Sequence, residues 1–144
     1  MIIIILYGAY PTMKNKKTIR IFADMKKSTN NKISFSCSLL VDKSPIFNMP
    51  IFSLQIDKLI DSYEITQHII LKLIDIIVAS KESNQNVHLI IYIKNEIVCF
   101  DWMHRSLSLK SESKASLWND IKSAIQENEI ELTLFSDSIM NKVV

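Results

Sequence analysis

The stretch "VHLIIYI", Val87 to Ile93, decides the fold. It is an apolar run broken only by His88 and bounded by the polar cluster Ser83 to Asn86 on one side and Lys94 on the other. A strand with one face in water alternates apolar and polar residues, whereas a strand covered on both faces reads as a continuous run, as the central strands of parallel sheets do. Parallel neighbours need crossovers, and helical patterns flank the run. Upstream, Asp61 to Ser80 places Ile65, Ile69, Leu73, Ile76 and Ile77 at helical spacing, and "DSYE" at its start is a capping box. Downstream, Asn95 to His104 reads as a short helix, and Ala115 to Glu127 as a second with Leu117, Trp118, Ile121, Ala124 and Ile125 on one stripe. Ile130 to Phe135 is a last strand, and Ile139 to Val144 reads as the start of another helix.

The first part of the chain has a different rhythm. Thr18 to Ala23 alternates Ile19, Ile21 and Ala23 against Thr18, Arg20 and Phe22, and Ile33 to Val41 alternates apolar residues with serines. Ile51 to Ile56 reads as a third strand. Three strands with short links form an antiparallel meander, so the order β-β-β-α-β-α-α-β predicts a mixed five-stranded sheet with helices packed on its faces.

With 144 residues the chain is one domain. It divides into an apolar and basic extension, residues 1–17, and a domain over residues 18–144. The net charge of +2 is too mild to argue for nucleic acid alone. The single glycine, Gly8, compares with about ten expected at average usage, which excludes glycine-rich phosphate loops and assigns left-handed turns to Asn or Asp. Cys37 and Cys99 stand far apart with no partner at metal spacing and read as reduced core thiols. The start "MIIIILYGAYP" is too short to span a bilayer and has no basic residue before its apolar run. It reads as a strand, an interface tail, or translated sequence upstream of a start at Met13. A cytoplasmic protein with no membrane partner is expected.

Four segments resemble the ribonuclease H family. "IRIFADMKKS" is similar to the family's first strand and places Asp24 at its aspartate, and "DSYEITQHIILKLIDII" places Glu64 at the glutamate of the following helix. "LIIYIKNEIV" is similar to the fourth strand and the helix after it, and "LWNDIKSAIQENEIELTLFSDS" to the late helix, tight turn and fifth strand. The resemblance implies a ribonuclease H-like α/β domain. It also implies a site where four carboxylates hold two Mg²⁺ or Mn²⁺ ions that activate water against a phosphodiester. The fourth-strand aspartate position falls on Lys94 or Asn95 here, and the last on Asn141. Neither residue type supplies the negative charge a divalent ion needs, and a Lys94 ammonium could neutralise Asp24 or Glu64 instead.

Two functions follow from this. The favoured one is a non-catalytic module, a pseudoenzyme with a degenerate metal site and no cofactor, that binds a protein or a nucleic acid. Its apolar Ile2 to Leu6 would serve protein contact or self-association. The alternative is a hydrolase: an Mg²⁺- or Mn²⁺-dependent endonuclease cutting the RNA strand of RNA–DNA hybrids, with Asp24 and Glu64 as catalytic metal ligands and Glu96 or Asp137 completing the set. For nucleic-acid contact the candidates are Lys26 and Lys27 behind the first strand, and Trp102, Arg105 and Lys110, with His104 and Lys114, in the region after the fourth strand. Each has an ordinary reading beside it. Asp24 also suits a turn, Glu64 is explained by the capping box alone, and the Trp102 to Lys114 region also reads as a solvated linker.

Overall fold

The computed structural model describes residues 16–27, 32–41, 47–48, 52–55, 61–106 and 110–136. The apolar segment Ile2 to Leu6, Asp137, Asn141 and the expected helix at Ile139 to Val144 lie outside the described residues.

Strand β1 is Lys17–Lys27, β2 Lys32–Val41, β3 Phe47–Asn48 and β4 Phe52–Gln55. Helix α1, Ser62–Ser80, leads to β5, Val87–Ile93. Helices α2, Glu96–His104, and α3, Glu112–Glu127, precede β6, Ile130–Ser136. The sheet order is β3-β2-β1-β5-β6, with β4 also on β2. Strands β1, β5 and β6 form a three-stranded parallel block. Antiparallel β2 flanks it.

Among the described residues six strands stand in place of the expected five. The expected third strand, Ile51 to Ile56, is β4, with Phe52 opposite Phe35, and the additional strand is the two-residue β3, which pairs with another part of β2, Phe47 opposite Leu39. Pro50 lies between them in the sequence.

The alternation in β1 is real: Ile19, Ile21 and Ala23 are buried. In β5, Val87, Leu89, Ile91 and Ile93 join them in one core with Ile130, Leu132 and Leu134 of β6. Residues of α1, α2 and α3 complete the same core. Among the described residues, then, the three helices cover one face of the sheet rather than both. The other face of β5 carries buried Ile90 between the half-buried His88 and Tyr92. On that face Phe22, Tyr92 and Phe135 stack in register, with centroids 4.6 and 5.5 Å apart.

Helix α1 starts where the sequence places it, with the Asp61 side chain accepting from the Glu64 N–H at 3.0 Å. Its buried stripe includes Ile70 and Ile74, while Ile76 is only half-buried, so the face is turned slightly from the expected one. Left-handed φ falls on Arg105 (58°) and Glu129 (57°) among the described residues, not on the expected Asn or Asp. For a residue with a Cβ this conformation costs about 1–2 kcal/mol. Exposed Glu129 sits in the tight turn before β6, and its carbonyl accepts from the Val87 N–H. Glu129→Gly is expected to keep that bond and stabilise the domain by about 1 kcal/mol, raising Tm by about 3 °C in a thermal melt.

Candidate functional site

The relevant rim is where β1 leaves β5, where β5 ends and where α1 begins. The last parallel pair of β1 is Phe22 opposite Tyr92, after which β1 continues beside β2 alone. Asp24 lies two positions past that pair, opposite Ser36 and exposed. It is inside a strand rather than at a strand end, contrary to the expected boundary at Ala23.

Strand β5 stops at Ile93. Lys94 is exposed, and Asn95 caps α2: its Oδ1 accepts from the Val98 N–H at 3.1 Å. The Asn95 amide also donates to Thr66 Oγ1 at 3.2 Å and towards the Ser62 carbonyl at 3.4 Å. The strand-end position is therefore a neutral brace between the starts of α1 and α2. An amide suits this double role because it donates and accepts at once.

Glu64 stands in the first turn of α1 with a partner the sequence did not reveal. Lys114, in the first turns of α3, places its ammonium 3.2 Å from Glu64 Oε1 and 2.8 Å from Asp61 Oδ2. The Ser113 hydroxyl donates to the same Glu64 oxygen at 2.7 Å. Gln67 fixes the Lys114 backbone, its Nε2 donating to the Lys114 carbonyl at 2.9 Å. The Lys114 hydrogen bond and charge hold the Asp61 carboxyl below its ordinary range, and the Asp61 and Glu64 partners raise Lys114 above its own. Because the Asp61 pKa is depressed, its contribution to stability is present above about pH 4 and is lost as pH falls through the lowered value. With the Asp61 side chain 55% exposed, that contribution is small.

Beneath the rim is a buried polar chain. The Tyr63 hydroxyl donates to Asp101 Oδ2 at 2.7 Å and accepts from Trp118 Nε1 at 2.9 Å. Lys110 reaches the same Asp101 oxygen at 2.8 Å. Burial, reinforced by the Asp101 hydrogen bond, pushes the Tyr63 hydroxyl well above the ordinary tyrosine range, so it remains a donor.

The candidate residues thus separate. Trp102 is in the core, 1% exposed, with Nε1 donating to the Leu132 carbonyl and its ring stacked 5.4 Å from Trp118. That ring has no free face for a base. Arg105 is exposed and covers the Trp102 ring at 4.4 Å, and Lys110 is tied to Asp101. Lys26 and Lys27 end β1. Glu96 is exposed in the first turn of α2. The ammonium that meets Glu64 is that of Lys114, not the expected Lys94. Of the predicted catalytic pair, only Glu64 is gathered into a network. Tyr63, Ser113 and the bridging role of Lys114 were missed.

Hard divalent ions need several carboxylate oxygens with charge to spare. Glu64 is matched by an ammonium and a hydroxyl, and the strand-end position offers an amide already engaged. These residues do not fit a two-ion site. Among the described residues no group of three or more His, Cys, Asp or Glu is placed to hold a metal ion. Cys99 is buried in the core. No helix among the described residues is long and apolar enough to cross a membrane.

No protein-family model matches the chain, and no curated protein does either. Solved structures do. The N-terminal RNase H domain of a Mycobacterium tuberculosis protein, solved as a fusion with maltose-binding protein, superposes with a TM-score of 0.59 at 10% identity over 84% of each chain. RNase H1 from the halophilic archaeon Halobacterium salinarum gives 0.57 at 6% identity, covering 86% of this chain and 89% of that one. LC11-RNase H1, solved in complex with an RNA/DNA hybrid, gives 0.52 at 14% identity over 82% and 83%. At such identities the likeness speaks for the fold: this chain has a ribonuclease H-like α/β fold.

Proposed function

We propose that this domain is a non-catalytic ribonuclease H-like module that binds a partner, a nucleic acid or a protein, without metal chemistry. The observation that carries the reading is the engagement of Glu64 by Lys114 and Ser113. A carboxylate already neutralised by an ammonium must lose that partner before it can serve a divalent ion, and Asn95 offers no replacement charge. A nucleic-acid partner is supported by the fold and by the RNA/DNA hybrid bound to the similar LC11-RNase H1. In this reading the exposed Arg105, and Lys26 and Lys27 at the end of β1, make backbone contacts, while Ile2 to Leu6 serves protein contact or self-association.

The alternative is the Mg²⁺- or Mn²⁺-dependent endonuclease, with Asp24 and Glu64 as ligands and Glu96 or Asp137 beside them. Its support is the position of Asp24 next to the end of the parallel block. Incubating the protein with a labelled RNA–DNA hybrid and either ion separates the two. The expected result is no cleavage above a heat-treated control, unchanged in Asp24→Asn and Glu64→Gln. Cleavage that either substitution abolishes overturns the non-catalytic reading.

A further inference from the structure

Lys114 differs from an ordinary surface lysine in three ways. Its side chain is mostly covered, 18% exposed, as is that of Glu64 at 14%. It reaches two carboxylates at once, Asp61 and Glu64, which stand three residues apart at the start of another helix. It is also positioned from behind: Gln67 holds its carbonyl, Ser113 shares Glu64 Oε1, and the Tyr63 ring lies 5.7 Å from its ammonium. A lone exposed ion pair needs none of this and contributes little. Here one positive charge sits between two carboxylates, where a cation would, and the Ser113 hydroxyl donates to the Glu64 oxygen beside it.

We propose that Lys114 is a built-in cation that occupies the Asp61–Glu64 carboxylate pair in place of a metal ion, and that removing its charge turns the pair into a divalent-cation site. The proposal rests on the non-catalytic reading, since it explains why Glu64 survives there without a metal. Asp61 and Glu64 lie at the N-terminus of α1, where backbone N–H groups favour negative charge even when the ammonium is gone. Asp61, half in solvent, has room to swing towards Glu64 and meet the shorter distances a metal requires, near 2.0–2.6 Å for hard divalent ions.

The test titrates Mn²⁺ alone into the full chain, read by the loss of the free-ion electron paramagnetic resonance signal. Lys114→Met keeps the apolar stem over Tyr63 and drops the charge, and Lys114→Arg keeps the charge. The expected result is at least tenfold tighter Mn²⁺ binding by Lys114→Met than by wild type or Lys114→Arg, with the gain abolished by Glu64→Gln in the Lys114→Met background. No gain in a Lys114→Met protein that melts cooperatively overturns the proposal, as does an equal gain in Lys114→Arg. Wild type decides independently of whether the variant folds: a bound Mn²⁺ that Glu64→Gln removes also overturns it. Hybrid cleavage by wild type is read separately and tells against the non-catalytic reading itself.

Discussion

Trp118→Ala is expected to cost about 4 kcal/mol, the largest effect of any single truncation considered for this domain. Trp118 is fully buried in the core. Its indole stacks on Trp102 and meets the Tyr63 ring edge-on, with centroids 6.2 Å apart and planes at 88°. Truncation removes those aromatic contacts, leaves a cavity between α1, α2 and α3, and deprives the Tyr63 hydroxyl of its donor. Against a total stability of about 5–15 kcal/mol for a small domain, such a loss approaches unfolding. Urea denaturation followed by circular dichroism measures it. A loss below about 1 kcal/mol contradicts the placement of this side chain. Trp118→Phe, which keeps a ring but not the N–H, should lose distinctly less.

The second large effect is expected from Lys110→Met, at about 3 kcal/mol. Asp101 is nearly buried, its side chain 6% exposed, and Oδ2 takes both the Lys110 ammonium and the Tyr63 hydroxyl. Removing the ammonium leaves a carboxylate in the core with one hydrogen bond and no counter-charge. The methionine stem preserves most of the packing, so the loss reports on charge rather than volume. A double-mutant cycle with Asp101→Asn isolates it: in that background, where no charge is left to compensate, Lys110→Met should cost less than about 1 kcal/mol. An equal cost in both backgrounds contradicts the pair.

Much of this fold was legible before any coordinates. Helix α1 combines a capping box, a helical stripe and a polar stop, three local signals that agree, and it runs from Ser62 to Ser80. Strand β5 announced itself by continuity, although its two faces are not equivalent: the helices cover one, while the other carries the row Phe22, Tyr92 and Phe135. A run of apolar residues gives the sum of burial on the two faces and cannot assign it to either. The third strand was legible too, Ile51 to Ile56 against Phe52–Gln55, whereas the two-residue β3 is too short to carry a period.

Trp102 was misplaced for a different reason. Its neighbours His104 and Arg105 suggested a surface, but Val98, Cys99 and Trp102 share a helical stripe, and on a short helix that stripe faces the core. The signal was present, and the surrounding charges outweighed it. No such signal existed for Lys114. Glu64 and Lys114 are fifty positions apart in the chain, and the α1–α3 packing alone brings them together.

The sequence by itself determined the elements, because capping, period and turn chemistry act between residues a few positions apart. Only the tertiary structure decided what each surviving carboxylate faces. Charge acts through space at a few ångströms, and which helix start delivers a lysine to Glu64, or leaves Asp24 exposed beside Ser36, depends on the packing of distant segments.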